Sequence, residues 1–397
     1  MQKNTKKILL TGGGTGGSVA PLLAVVDELR MKEAELLRLQ SNRRSSASNA
    51  FFWLGAKNGP EKRMVKDAGI KFKPIFSGKF RRYFSLRNFI DPIFIFVGFF
   101  QAFFIILKWR PNLVMSAGSF VSVPVVWAAW LLRVPILIHQ QDARPGLANK
   151  LMARFARIIT VTFKKSLSDY GEKAVWTGNL IRQSLTDDPA MSLRSNVAGR
   201  RPRNIAQLKR GRQTTNDKFK LSKNLPVVLI IGGGTGALAI NQLVEQSLDE
   251  LIEFCQIIHI TGKSKVPNYI PQYSAGINYK FFEFLNAGQM AQAYAAADVA
   301  VSRCGMGVLT ELSYLAKPAI LIPIPNSHQE ENAEIFKEKK AAIVLDQKEL
   351  TAGKLADNIK KLLDDKMLRD KLSNNISRVI KRGANKKIAE IINKIVS

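Results

Sequence analysis

The chain has 397 residues, is 46% hydrophobic, and carries 60 Lys and Arg against 31 Asp and Glu, a formal charge of +29. That length suits two domains of roughly 100–200 residues each, and two cysteines with three histidines are too few for a disulfide framework or a Cys/His zinc site, so a reducing compartment fits. The charge calls for an anionic partner, whether nucleic acid, an acidic membrane surface or a phosphorylated substrate, and does not by itself choose among them.

After Met1–Lys7, the apolar run Ile8–Leu10 is too short for a signal-peptide core, so no export signal is expected. It reads as a strand, followed by Gly12-Gly13-Gly14-Thr15-Gly16-Gly17 and a helix opening near Pro21. A strand, a Gly-rich corner and a helix start leave backbone N–H groups facing an anion such as phosphate. Gly12, Gly14 and Gly17 satisfy a dinucleotide spacing, but the next strand, Phe51–Gly55, runs into Ala-Lys-Asn-Gly without the acid that holds an adenosine ribose. Ser18 and Val19 stand where a Walker loop needs Lys and Ser or Thr.

Between Phe72 and Arg110 lies the most apolar part of the chain, flanked by Lys79, Arg81, Arg82 and Arg87 before it and by Lys108 and Arg110 after it. Its length approaches the roughly 20 residues of a membrane span, yet Asp91 and Gln101 would then enter lipid. Two other readings stay open beside spanning: a buried helix, and a helix dipping an aromatic face into a headgroup layer beside basic anchors.

Leu113–Ser116 is the next expected strand. Ile136–Ile138 is another, ending at His139-Gln140-Gln141-Asp142, with a helix around Gly146–Phe155 and further strands at Ile158–Phe163 and Val175–Asn179. Ligands of open parallel sheets sit beyond the carboxyl ends of strands, which places His139 and Asp142 with the first Gly corner. His139 reads either as a loop cap or as a substrate contact. From Thr186 to Asn224 periodicity collapses into a basic, polar run, read as a linker or long loop that also has the charge to grip phosphate headgroups or RNA, although no nucleic-acid motif accompanies it.

The pattern then restarts. Val227–Ile231 is a strand, Gly232-Gly233-Gly234-Thr235-Gly236-Ala237 a corner almost identical to the first, and Leu238–Leu251 a single helix, with later strands at Ile257–Thr261, Tyr279–Phe282, Val299–Ser302 and Ala319–Ile322. No acid ends the second strand of this half either, so tandem Rossmann-like halves without NAD chemistry point to a nucleotide-sugar site. Around the turn Arg303–Gly307 the chain places a cation before a helix start and Glu311 about one turn in, a carboxylate suited to a ribose diol. Downstream, Gln329 and Asn332 are amides that both donate and accept, as sugar hydroxyls require. The tail from Lys360 reads as helices, the last amphipathic and basic.

In order, the first Gly corner, the His-containing strand end, Thr177-Gly178-Asn179 with Arg182, the second Gly corner, Arg303-x-Gly305…Glu311 and His328-Gln329-x-x-Asn332-Ala333 resemble the series of the MurG family, bacterial peptidoglycan N-acetylglucosaminyltransferases. The resemblance implies an α/β chain of the GT-B type, two Rossmann-like domains facing an interdomain cleft. Residues 1–182 would form an acceptor- and membrane-associating domain, 183–225 a basic linker or loop, and 226–397 a UDP-GlcNAc-binding domain whose last helix packs back on the first. It implies inverting transfer of GlcNAc from UDP-GlcNAc to the C4 hydroxyl of an undecaprenyl-diphosphate-linked muramyl peptide. The setting would be peripheral, at the cytoplasmic face of the cell membrane, on an anionic membrane surface and beside other cell-wall synthesis proteins, with no cofactor, no metal and no nucleic acid.

Carried over by position, Arg303, Gly305 and Glu311 would hold the nucleotide, Phe284 and Leu285 the uracil, and Gln329 and Asn332 the GlcNAc hydroxyls. Arg182, Gly234 and Thr235 would meet the donor diphosphate, and the first corner, including Thr15, Gly16 and Gly17, the acceptor's diphosphate. The family's first corner ends in a histidine where this chain has Ser18, a hydroxyl unable to accept a proton usefully at neutral pH. The general base is thereby left to Asp142 or His139. Two alternatives follow: another GT-B lipid glycosyltransferase, or a catalytically weakened membrane-bound homologue.

Overall fold

The computed structural model describes residues 5–14, 16–39, 48–57, 59, 61–78, 87–182, 185, 219–222, 224–233, 236–265 and 278–397, with side chains of the helix beginning at 87 described from 93 onward. Thr15, Gly234, Thr235, Lys79, Arg81 and Arg82, the side chain of Arg87 and most of the 186–224 segment lie outside the described residues. The chain divides into two compact units, residues 1–182 with 381–397, and residues 183–380.

The first unit is built on a seven-stranded sheet, ordered β3-β2-β1-β4-β5-β6-β7. Its strands are β1 (Lys6–Thr11), β2 (Asn49–Ala56), β3 (Lys71–Ile75), β4 (Leu113–Ser116), β5 (Ile136–Gln140), β6 (Ile158–Val161) and β7 (Ala174–Trp176). Every pairing is parallel, with Ile8 opposite both Phe51 and Leu113. Strands covered on both faces read as unbroken apolar runs, as β1 and β4 do. Helices α1 (Ala20–Leu39) and α2 (Glu61–Asp67) precede α3 (Arg87–Trp109), α4 (Ser122–Leu131) and α5 (Leu147–Ala153). Neither α2 nor β3 was expected from the sequence.

One core of this unit joins α1, β1 and β4 to Ile388 and Ile392 of the terminal helix. The other packs α3, α4 and α5 on the opposite sheet face through Ala102 and Ile106, Val125 and Ala129, and Ala148 and Met152. Gly98 lets α3 lie close, because a Cβ there would fall 2.0 Å from the Phe76 carbonyl oxygen. Among the described residues no helix is long and apolar enough to cross a membrane. Helix α3 is instead two-sided: Ala102 and Ile106 are buried, while Phe96, Phe100 and Phe104 are 64%, 42% and 63% exposed.

The second unit has a six-stranded parallel sheet, ordered β10-β9-β8-β11-β12-β13, from β8 (Val227–Ile231), β9 (Gln256–Ile260), β10 (Tyr279–Phe282), β11 (Val299–Ser302), β12 (Ala319–Leu321) and β13 (Ile343–Val344). Its helices are α6 (Leu238–Gln246), α7 (Leu248–Phe254), α8 (Ala287–Ala296), α9 (Met306–Tyr314), α10 (His328–Glu338), α11 (Ala352–Asp364) and α12 (Lys366–Ile376); α13 (Ala384–Val396) belongs to the first unit. The single helix expected over 238–251 is broken at Ser247, whose hydroxyl bonds back to the Leu243 carbonyl and whose residue opens α7. Both sheets reverse strand order beside their first strand, between β1 and β4 and between β8 and β11. That reversal opens a crevice at the carboxyl ends, where ligands bind in such sheets.

Candidate active site

In the second unit the crevice lies between the β8–α6 corner and the β11–α9 corner. Gly232 and Gly236 are required by crowding: a Cβ on Gly232 would sit 2.3 Å from the Ala237 nitrogen, and one on Gly236 (φ +73°) 2.1 Å from the Thr261 oxygen. Opposite, Gly305 caps α9 with nothing within 4 Å of where its Cβ would be, so a ligand can approach the backbone at this helix start. Cys304, just before it, is clamped from both sides. Its N–H donates to Gln329 Oε1 at 3.1 Å, and its carbonyl accepts from Asn332 Nδ2 at 3.1 Å.

Glu311 is buried on α9 and its Oε2 accepts from the Tyr294 hydroxyl at 2.8 Å, which fixes the carboxylate's direction. Phe284, just past the carboxyl end of β10, is 75% exposed, while Leu285 beside it is buried. An exposed ring on a strand end is a stacking surface. Arg303 departs from its expected role. Its Nη1 donates to the Ile322 and Pro323 carbonyls at 3.1 and 3.2 Å, and the side chain is buried, which lowers its pKa from the ordinary value. It braces the end of β12 against that of β11. Asn332 is likewise fully buried, so it positions the Cys304 peptide, and of the two amides only Gln329 is partly exposed.

A cavity of about 470 Å³ in this unit is lined by Pro323 and Pro325, by Glu330, Glu334 and Lys337 of α10, and by Asp346, Glu349 and Lys354. Residues 330, 333, 334 and 337 form one face of α10, and Gln329 and Asn332 another. Its excess of carboxylates suits no diphosphate.

In the first unit the Gln141 amide joins the crevice walls, donating to the carbonyls of Gly17 at 3.0 Å and Ala117 at 3.3 Å. Asp142 follows it, partly exposed at the carboxyl end of β5. Ser18 is buried and its hydroxyl donates to the Gly13 carbonyl at 3.2 Å. His139 is fully buried; Nδ1 lies 2.9 Å from the Thr160 hydroxyl and Nε2 2.7 Å from Asn179 Oδ1. Because Asn179 Oδ1 only accepts, Nε2 carries the proton and Nδ1 accepts from Thr160. Burial lowers its pKa to about 4, so it is neutral at pH 7. With both nitrogens engaged it ties β5 to β6 and to the Thr177-Gly178-Asn179 turn, and the substrate contact or base considered for it is not where the ring points.

That turn is held by the C-terminal segment: a Cβ on Gly178 (φ +86°) would lie 1.9 Å from the Lys381 carbonyl oxygen, and Asn385 bonds the Ile181 backbone in both directions. Arg182, next along, is partly exposed. Sequence reasoning missed Glu61, which is fully buried; Oε2 accepts from the Gly14 N–H at 3.1 Å and Oε1 from the Ala56 N–H at 2.9 Å. Its signal was present, an acid at the start of a short helix after a strand, but without a motif to single it out. Among the described residues no three His, Cys, Asp or Glu side chains gather to hold a metal ion.

Residues 8–161 match the glycosyltransferase family 28 N-terminal domain and residues 227–393 the family 28 C-terminal domain. A Clostridium kluyveri protein named UDP-N-acetylglucosamine--N-acetylmuramyl-(pentapeptide) pyrophosphoryl-undecaprenol N-acetylglucosamine transferase is 37% identical over 362 residues, 90% of this chain and 91% of that one. A Bacillus cereus protein of the same name, numbered 2, is 34% identical over the same shares. Among solved structures, MurG of Acinetobacter baumannii superposes with a TM-score of 0.68 at 24% identity, covering 98% of this chain and 99% of that one. A UDP-GlcNAc 2-epimerase of Neisseria meningitidis bound to UDP-GlcNAc gives 0.62 at 15% identity, covering 98% and 100%. The structures carry the fold, two parallel α/β domains of the GT-B type, and the sequences carry the family: this chain belongs to the MurG family of glycosyltransferase family 28.

Proposed function

We infer that this chain transfers GlcNAc from UDP-GlcNAc to the C4 hydroxyl of a muramyl peptide carried on undecaprenyl diphosphate. The observation that carries the donor half is the set of groups at the carboxyl ends of β10, β11 and β12: an exposed Phe284, an open Gly305 helix start, a Glu311 carboxylate oriented by Tyr294, and Gln329 locked to Cys304. In this reading Phe284 stacks on the uracil and Glu311 accepts from the ribose diol. The backbone at Gly232–Gly236 and Gly305 meets the diphosphate as charge builds on the departing UDP. Gln329, its oxygen spent on Cys304 and Ile324, turns its NH₂ to a GlcNAc hydroxyl.

On the acceptor side, Asp142 takes the proton of the attacking hydroxyl. The hydroxyl of Ser18 is itself a donor to Gly13, and His139 is enclosed. Unit 1 associates peripherally with an anionic membrane: α3, α4 and α5 share one sheet face and turn Phe96, Phe100, Phe104, Trp130 and Leu147 outward, with Lys108, Arg110 and Arg133 exposed at or just past the ends of α3 and α4. Aromatic side chains beside cations suit a headgroup layer.

The test is GlcNAc transfer from UDP-GlcNAc to a polyprenyl-diphosphate muramyl acceptor by wild type, Asp142→Ala and Ser18→His. Wild-type turnover that falls at least about a hundredfold in Asp142→Ala is expected for loss of a general base. Full activity in Asp142→Ala removes that base, and turnover confined to Ser18→His removes the enzyme reading of the natural chain.

A further inference from the structure

Gln329, the amide assigned to the donor sugar, owes its place to a short loop at the exit of β12. Ile322 and Ile324 each precede a proline, which holds both residues extended, and Asn326 turns the chain at φ +57°, a conformation asparagine tolerates. The Ser327 hydroxyl donates to the Ile324 carbonyl at 2.7 Å and accepts from the Gln329 N–H at 3.2 Å, capping α10. Gln329 Oε1 closes the loop by accepting from the Ile324 N–H at 3.3 Å. Arg303 fixes the other end through the Ile322 and Pro323 carbonyls.

Ile324 is therefore pinned at both its backbone polar groups, between two prolines of fixed φ. Side chains alternate along an extended segment. Pro323 and Pro325 line the acidic cavity of this unit and Ile324 does not. It continues the row of Ile320 and Ile322, which are fully buried in the core, and is the first of that row to reach the surface, 43% exposed. An exposed aliphatic side chain is ordinary by itself. This one is rigid, and it stands past the carboxyl end of β12, where ligands of such sheets bind. Its N–H is bonded to the same amide oxygen that anchors Gln329 to Cys304, so a sugar that reaches the Gln329 NH₂ comes up beside it. Hydroxyl groups gain nothing from an aliphatic neighbour, whereas a methyl group leaves water on meeting one. On a GlcNAc donor the acetamido group carries the only methyl of the sugar.

We propose that Ile324 is a specificity-determining residue for the donor: its side chain packs on the methyl of the sugar's 2-acetamido group and selects an N-acyl hexosamine over a plain hexose. The proposal rests on the UDP-GlcNAc donor inferred above and names the side chain that reads its acyl group. Ile324 divides the work with Gln329: the amide meets a hydroxyl common to both sugars, and the isoleucine meets the substituent that separates them.

The experiment is calorimetric titration of the full chain with UDP, UDP-GlcNAc and UDP-glucose, for wild type and Ile324→Ala. The side chain is exposed and its backbone bonds survive the substitution, so the fold is kept, and UDP titration of each protein checks this. Wild type is expected to prefer UDP-GlcNAc to UDP-glucose, and Ile324→Ala to narrow that preference roughly three- to tenfold, as loss of burial of about one methyl group does, with UDP and UDP-glucose bound as in wild type. Equal binding of the two donors by wild type, or a preference unchanged in Ile324→Ala, overturns the proposal. UDP affinity falling in step with that for UDP-GlcNAc also overturns it, since the side chain then supports the loop and does not read the acyl group. Absence of heat from all three nucleotides with wild type registers separately, as failure of the donor reading itself, and the proposal falls with it.

Discussion

Truncating Glu61 to Ala measures how firmly a buried carboxylate holds the first Gly corner. The side chain is fully buried and accepts two backbone donors, Gly14 at 3.1 Å and Ala56 at 2.9 Å. A buried donor left without an acceptor costs roughly 1–3 kcal/mol. Because both bonds are partly buried, the lower half of that range applies to each, and Glu61→Ala is expected to destabilise the unit by about 2–4 kcal/mol. Glu61→Gln keeps one carbonyl oxygen and turns an NH₂ toward the other donor, so about half the loss is expected. All five tryptophans fall at or before residue 176, and the Trp53 indole donates to the Gly12 carbonyl at 3.0 Å. Tryptophan fluorescence during urea unfolding therefore reports on this unit alone. An Ala variant that unfolds within about 0.5 kcal/mol of wild type, the range of an ordinary surface change, refutes the reasoning.

Phe284→Ala is expected to raise the KM for UDP-GlcNAc by roughly 5- to 150-fold, the equivalent of about 1–3 kcal/mol of base stacking, with thermal stability unchanged because the ring is 75% exposed; an unaltered KM in a steady-state assay removes the uracil contact. The His139 pKa is about 4 in the folded chain against an ordinary 6.5. The unfolded chain therefore binds the proton first: this contribution to stability is complete above about pH 6.5 and is lost as pH falls toward 4, by roughly 3 kcal/mol. ¹⁵N chemical shifts of the ring should stay those of the neutral Nε2–H tautomer at pH 5, and a protonated ring at that pH contradicts the geometry. Replacing Phe96, Phe100 and Phe104 by Ser is expected to abolish flotation with phosphatidylglycerol vesicles and leave UDP affinity intact; flotation equal to wild type moves the membrane face elsewhere.

The fold was legible wherever a parallel strand buried on both faces produced an unbroken apolar run, as at Ile8–Leu10 and Val227–Ile231, and wherever a Gly corner announced the next helix. What escaped was short and charged. Helix α2 reads Glu-Lys-Arg-Met-Val-Lys-Asp and β3 reads Lys-Phe-Lys-Pro-Ile, too brief for periodicity to register, and Glu61 sits in the first of them. Order and spacing put the expected donor residues at or just beyond the carboxyl ends of β10, β11 and β12, but spacing cannot say where a side chain turns. Arg303 and Asn332 stand beside the crevice and point into the unit, because the carbonyls of Ile322, Pro323 and Cys304 need donors that no strand partner supplies. Glu311 and Phe284 reach a stated orientation only through a tyrosine 17 residues upstream and a strand end.

The two units solve one problem with the same device. In the first, His139 on β5 bridges Thr160 and Asn179. In the second, His259 on β9 bridges the Tyr279 hydroxyl at 2.9 Å and Asn241 Oδ1 at 3.1 Å, and the same asparagine donates to the carbonyls of Thr261 and Lys265. Burial lowers both imidazole pKa values, to about 4 and about 3, so each ring is an uncharged crosslinker with one donor and one acceptor. A lysine in either place would bring a buried charge needing a partner, and a phenyl ring would leave two polar groups unpaired. Neutral imidazoles thus hold the strand ends and their loops in place before any substrate arrives, which is what positioning catalysis requires. The same arrangement removes them from proton transfer. With His139 and His259 enclosed and the Ser18 hydroxyl donating to Gly13, none of these three side chains is placed to take a proton from a substrate, and Asp142, partly exposed at the end of β5, is the group the Asp142→Ala assay tests for that task.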